Sequence, residues 1–277
     1  MALASNSFYA AACRISSWAI SAALLWGGST QAQISISPLV IEVEAERGQS
    51  QGVINVTNNS SKPFRGRIYA EPFTYGDKGF VTLTSHPNDL TPYLQFSPRE
   101  LTVPPGVTRR VRLITRFPPS LPEGEYRSVV FTETLQQTTD GAGNAVALRA
   151  RIGTTVYVQQ GDLSPNLEVE SASWNAEQKQ IQIMVNNRGD ASARPAVSWT
   201  LQQGETVIDQ GRLDPTGIVA QSDRHFTLNY PAQNQAVLPA GQYQLTGELV
   251  WTEDGEKATI PFSVELKIPA TAASSAP

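Results

Sequence analysis

The chain has 277 residues, of which 40% are hydrophobic and 17% charged. Those proportions exclude a solvated coiled coil or a disordered acidic chain, and the length suits two domains of about 100–150 residues each. The formal net charge of −4 lacks the basic footprint that nucleic acid binding requires.

The N-terminus reads as an export signal. Arg14 is the only charge before Glu42, and an apolar stretch broken only by small residues runs from Ile15 to Trp26. The run is shorter than the ~20 residues of a bilayer crossing, so residues 1–32 are expected to be a signal peptide cleaved after Ala32. The mature chain would then be periplasmic. Cys13, the only cysteine, would leave with the signal. What remains could hold no disulfide, thiolate metal site or cysteine nucleophile.

Short strands and turns follow. Ile34 to Ile36 alternates, and Val40 to Val43 continues an extended pattern up to the Glu46–Arg47–Gly48 turn. Val53 to Thr57 is β-branched and stops at the turn cluster Asn58–Asn59–Ser60–Ser61–Lys62–Pro63. Further strands are predicted at Phe64–Ala70, Phe80–Thr84, Leu101–Val103, Arg109–Thr115 and Tyr126–Thr132. A polar loop from Gln136 to Asn144 then precedes the longest alternating run. One face of that run carries Val146, Leu148, Ala150, Ile152, Thr154, Val156 and Val158. The other carries Arg149, Arg151, Gly153, Thr155 and Tyr157. Gln159 to Asp162 reads as a linker.

The second half repeats the logic, with strands at Leu167–Val169, Ile181–Val185, Ala196–Leu201 and Phe226–Leu228. Two segments echo the first half. Ile54 to Asn59 parallels Ile183 to Asn187, and Leu121–Pro122–Glu123–Gly124–Glu125–Tyr126 parallels Leu238–Pro239–Ala240–Gly241–Gln242–Tyr243. The second pair suits a sandwich corner in which a tyrosine hydroxyl bonds back to the backbone. The fold expected is all-β: two immunoglobulin-like β-sandwich domains in tandem, 33–160 and 161–268, after the signal peptide and before a disordered tail at 269–277.

Few residues suggest catalysis, and no enzyme activity, cofactor or metal is expected. Gly48–Gln49–Ser50–Gln51–Gly52 matches a nucleophile-elbow pattern, but a strand rather than a helix follows it. His86 and His225, the only histidines, lack ligands at metal spacing and read as surface or edge residues. The Asp140–Asn144 loop lacks the acidic series of a calcium site. Asn58 and Asn59 match glycosylation acceptors, but their turn role explains them. Arg109, Arg110, Arg112 and Arg116, joined by Arg65, Arg67 and Arg127, read either as the solvated face of amphipathic strands or as a patch for a partner's carboxylates.

The order of motifs from Ile36 to Val158 resembles the periplasmic pilus-assembly chaperones of the PapD type. The resemblance rests on Ser37–Pro38 with Gly48, Val53 to Asn59, and Leu94–Gln95–Phe96–Ser97–Pro98 with Leu101 to Gly106. Arg109 to Leu113 and Leu121 to Arg127 follow in register. It implies that the last strand of the first domain is lent to an exported, incomplete β-sandwich subunit of a pilus or fimbria. An outer-membrane usher is an implied further partner. The lent residues would be Val146, Leu148, Ala150 and Ile152. The chain departs from the family where a client carboxylate is anchored: Glu42 stands at the arginine position and Gly153 at the lysine position. Either Arg149, Arg151 or Arg112 substitutes as a charge anchor, or clients are not capped in the usual way. A structural or adhesive envelope protein built of sandwich domains is the alternative.

Overall fold

A computed structural model describes residues 34–76, 79–139, 145–230, 238–253 and 255–269, without the side chains of residues 135–139 and 145–148. The proposed signal peptide, the Asp140–Asn144 loop and the tail beyond Pro269 lie outside the described residues. The described structure is built of β-strands, numbered below in chain order, with one 3-10 turn at Thr91–Tyr93.

The first sandwich packs two sheets face to face. One sheet has the order β1 (Ile34–Ser37), β3 (Gln49–Asn58), β9 (Thr108–Arg116) and β7 (Leu94–Ser97). The other has the order β2 (Val40–Glu44), β11 (Ala145–Gln160), β10 (Gly124–Thr139), β4 (Phe64–Glu71) and β8 (Glu100–Val103). Alternation sends Ile54, Val56, Val111 and Leu113 from the first sheet and Ile68, Val130, Val156 and Val158 from the second into one shared core. A hairpin of β5 (Phe73–Gly76) and β6 (Gly79–Thr82) accompanies them.

Ile34 to Val43 is not one strand. β1 pairs with β3 of the first sheet, whereas β2 pairs in parallel with β11 of the second. The switch falls at Pro38, which has no N–H with which to continue a ladder.

The second sandwich sets β12 (Leu167–Asn175), β13 (Gln180–Asn187) and β16 (Ser222–Thr227) against a four-stranded sheet. That sheet has the order β15 (Thr206–Leu213), β14 (Ala196–Gln203), β17 (Gly241–Glu253) and β18 (Glu256–Ile268). Ile181, Ile183, Val185, Val197, Trp199, Leu201, Leu245 and Leu249 fill its core. β17 and β18 alternate as clearly, sending Tyr243 and Trp251 from one and Phe262, Leu266 and Ile268 from the other into the same core.

The internal echoes correspond to matching structure. The Tyr126 hydroxyl donates to Pro122 O at 3.0 Å, and the Tyr243 hydroxyl donates to Pro239 O at 2.9 Å. Asn58 and Asn187, each fully buried at a strand end, satisfy the turns that follow them. Asn58 Nδ2 donates to Lys62 O and Val103 O, and Asn187 Nδ2 donates to Ala191 O and Val219 O. Asn58 is therefore a structural residue. Ser50 is buried within β3 with no helix after it, so the nucleophile-elbow pattern has no elbow.

Candidate functional site

The outstanding feature of the first sandwich is an edge. β11 pairs with β10 along its whole length, from Gly124↔Gln160 to Thr139↔Ala145. Its other edge is covered by β2 only from Thr155↔Val40 to Gln159↔Glu44. The cover ends where Thr155 N donates to Leu39 O at 3.0 Å and Thr154 Oγ1 donates to Pro38 O at 3.1 Å. From Ala145 to Gly153, no strand among the described residues pairs with that edge.

Register fixes which face this strip presents. Ile152 lies opposite Thr132, which lies opposite Ile68, a residue of the shared core. Ile152 and Ala150 thus continue the inward face that Val156 and Val158 begin. Val156 is 2% exposed and Ile152 is 36% exposed. Ala150 is exposed as well. Leu39, 54% exposed, stands at the point where the edge opens. Val146 and Leu148 hold register positions opposite Thr138 and Gln136, and their side chains lie outside the described residues.

The charged residues separate. Arg149 is exposed on the opposite face of β11. Arg151, also on that face, stacks its guanidinium 4.4 Å from the Phe131 ring centroid and approaches Glu71 Oε2 at 3.7 Å. Arg112 belongs to the other sheet, where Val111 and Leu113 take the core positions and Arg112 faces outward. It does not join the strip. Gly153 stands where a side chain has no room: a Cβ there would lie 2.7 Å from Val129 Cγ2 and 3.1 Å from Phe131 Cε1. Glu42 is paired, its Oε1 lying 2.9 Å from Arg194 Nη2 of the second sandwich.

The outer face of the β2-β11-β10-β4-β8 sheet meets the second sandwich. Phe73, Val129, Phe131, Tyr157 and Val219 form a separate buried cluster there. On the same face of β10, Glu125 is 1% exposed and accepts bonds from Ser192 N at 2.7 Å and from Ser192 Oγ. Arg127, 4% exposed, approaches Glu125 Oε1 at 3.6 Å. Burial pushes the Glu125 carboxyl above its ordinary range, and the Ser192 bonds and Arg127 only partly offset it. Burial likewise lowers the Arg127 guanidinium, against the pull of Glu125. His86, 3.5 Å from Arg127 through Nε2, is lowered by burial and then by that positive neighbour.

Arg127 is therefore no part of a solvated basic face. Arg65 pairs with Glu100 at 3.4 Å, and Arg67 stacks over Tyr69. Both belong to the sheet opposite Arg110 and Arg112, so the arginines form no single patch. The Glu125–Ser192 link had one sequence signal: charges at alternate positions of a strand otherwise rich in Val and Phe. Ser192 itself had none.

No group of His, Cys, Asp or Glu suited to a metal ion occurs among the described residues. No helix among them is long and apolar enough to cross a membrane. No protein-family model and no curated protein matches the chain. Solved structures similar to it include the class 5 fimbriae chaperone CfaA, at 15% identity over 85% of this chain and 99% of that one, with a TM-score of 0.48. The chaperone–tip adhesion subunit pre-assembly complex CsuC–CsuE of Acinetobacter baumannii matches at 14% identity over 85% of this chain and 98% of that one, with a TM-score of 0.48. The E. coli chaperone DraB matches at 12% identity over 84% of this chain and 96% of that one, with a TM-score of 0.46.

Proposed function

We propose that this chain is a periplasmic, non-enzymatic chaperone that holds exported, incomplete β-sandwich subunits of the pilin kind by lending them the free edge of β11. Residues 33–160 form the lending domain and residues 161–268 the supporting one. The observation that carries the reading is the edge from Ala145 to Gly153, unpaired among the described residues, whose inward phase continues the core of its own sandwich. An added strand would complete that ladder through backbone hydrogen bonds, and alternate side chains would fill slots in the client.

Val146, Leu148, Ala150 and Ile152 are the proposed client-facing residues, in phase along the strand. The three larger anchors would contribute a gross ~5–9 kcal/mol before ordering costs are subtracted. Arg149, exposed on the strip's other face, is the proposed charge anchor, since Arg151 is already engaged by Glu71 and Phe131. The process needs neither nucleotide nor metal.

One edge strand of the second sandwich, β15, supports the same reading by contrast. β15 is interrupted by a bulge between Leu201 and Gln202 of its partner. Its Asp209 shares the core face with Leu201. A bulge and an inward charge protect a sheet edge from strand addition. The described part of the β11 strip carries neither.

The test is capture of the mature protein from the periplasm with mass spectrometry of what accompanies it. The wild type is expected to bring down subunits lacking a strand. Leu148→Asp and Ile152→Asp are expected to lose them while melting close to the wild type. Recovery in an assembled envelope layer with no such subunits would favour a structural role instead.

A further inference from the structure

β2 decides where the lendable edge begins, and something must decide where β2 sits. Its alternation alone does not. Ile41 and Val43 face the shared core, while Val40 and Glu42 face outward. A slip of one residue along β11 would expose Ile41 and Val43, so pattern forbids it. A slip of two residues, ~6.6 Å, keeps every side chain on its present face. Such a slip toward Ala145 would cover Gly153 and shorten the free strip.

Besides the Thr154 Oγ1 bond to Pro38 O, one contact from the second sandwich is specific to the observed register. Glu42 stands beside Tyr157 of β11, and its carboxylate meets Arg194 from the second sandwich at 2.9 Å. The Arg194 guanidinium also lies 4.9 Å from the Tyr157 ring centroid. Its own position is constrained. Ala193 and Ile218 exchange backbone bonds at 2.9 Å, and a Cβ on neighbouring Gly217 would come within 2.8 Å of Arg194 Nη1. Glu42 is 51% exposed and Arg194 is 21% exposed, so the cation is the fixed, mostly buried partner.

We infer that Arg194 is a positioning residue: by holding Glu42 it fixes β2 on the far half of β11, and the second sandwich thereby sets where the lent edge begins. The inference also accounts for a glutamate where the resemblance leads one to expect an arginine, because here the cation comes from the other sandwich. It rests on the strand-lending reading only in treating the open edge as a binding strip.

Amide hydrogen exchange of the free mature protein tests it. The bonds Thr155 N→Leu39 O and Ala45 N→Gln159 O bracket the β2–β11 ladder. In Glu42→Gln, which alters a half-exposed side chain, both amides are expected to exchange roughly three- to tenfold faster through local opening, while amides of β13 keep their protection. Arg194→Lys, which keeps the charge, is expected to restore part of what Arg194→Gln loses. Unchanged exchange at Thr155 and Ala45 would overturn the inference. So would equal acceleration in every strand, which would make the pair merely a contributor to global stability. No client takes part, so failure here leaves strand lending standing, and failure to capture a client leaves this result standing.

Discussion

Thr155 donates its amide to the carbonyl of Leu39 at 3.0 Å, and this bond marks the boundary between the covered and the open half of β11. Beyond it toward Ala145 the strand has, among the described residues, a paired neighbour on one side only. The side chains keep the phase of the core while losing its cover, which is why Ile152 and Val156, four residues apart on one face, differ so much in exposure.

That difference predicts opposite outcomes for the same chemical change. Ile152→Asp should alter the stability of the free protein by under about 1 kcal/mol, because the side chain already reaches water. Val156→Asp buries a carboxylate in the shared core and should cost about 4 kcal/mol or more, or prevent folding. Urea denaturation of both variants measures this.

Gly153 should resist substitution. A methyl group there meets Val129 and Phe131 well inside van der Waals contact. Gly153→Ala should destabilise the protein by about 1–3 kcal/mol through overpacking, and Gly153→Lys by more. Equal or greater stability of Gly153→Ala in urea would contradict the packing described.

Glu125 sets a pH dependence whose sign follows from its burial. Its folded carboxyl is raised above the ordinary 4.5, so between that value and its own it holds a proton that the unfolded chain has released. The folded state therefore binds more protons in that window, and this residue's contribution falls as pH rises through it. Below 4.5 both states are protonated and the contribution is fully present. The stability of the wild type minus that of Glu125→Gln, from urea titrations at a series of pH values, should decline from acid toward neutral and then level. A difference that grows with pH would contradict it.

The paired tyrosine corners should cost alike. Tyr126→Phe removes the bond to Pro122 O, and Tyr243→Phe removes the bond to Pro239 O. Each should lower stability by about 1 kcal/mol in denaturant titrations, leaving a carbonyl at the sandwich corner without that donor.

Both corners were legible in the sequence because the motif is local: hydroxyl and acceptor lie four residues apart. The inward and outward faces of β9 and β11 were legible for the same reason, since alternation is a property of one strand. What alternation does not encode is the neighbour. Ile34 to Val43 reads as one extended segment, and only the pairing partners show that Pro38 divides it between two sheets. Arg127 reads as one of several surface arginines. It is buried beside Glu125 and beside His86, which the fold brings to it from 41 residues away. Glu42 in isolation has the wrong charge for a client anchor, and its partner Arg194 belongs to the other sandwich.

The lent-edge account is tested most directly by amide exchange across β11 with and without the subunit that accompanies the mature protein from the periplasm. Protection should appear at alternate amides between Ala145 and Gly153, those pointing away from β10, while Thr155 to Gln159 stay as they were. Protection that arises elsewhere in the chain, with the Ala145–Gly153 amides exchanging as fast as in the free protein, would contradict it.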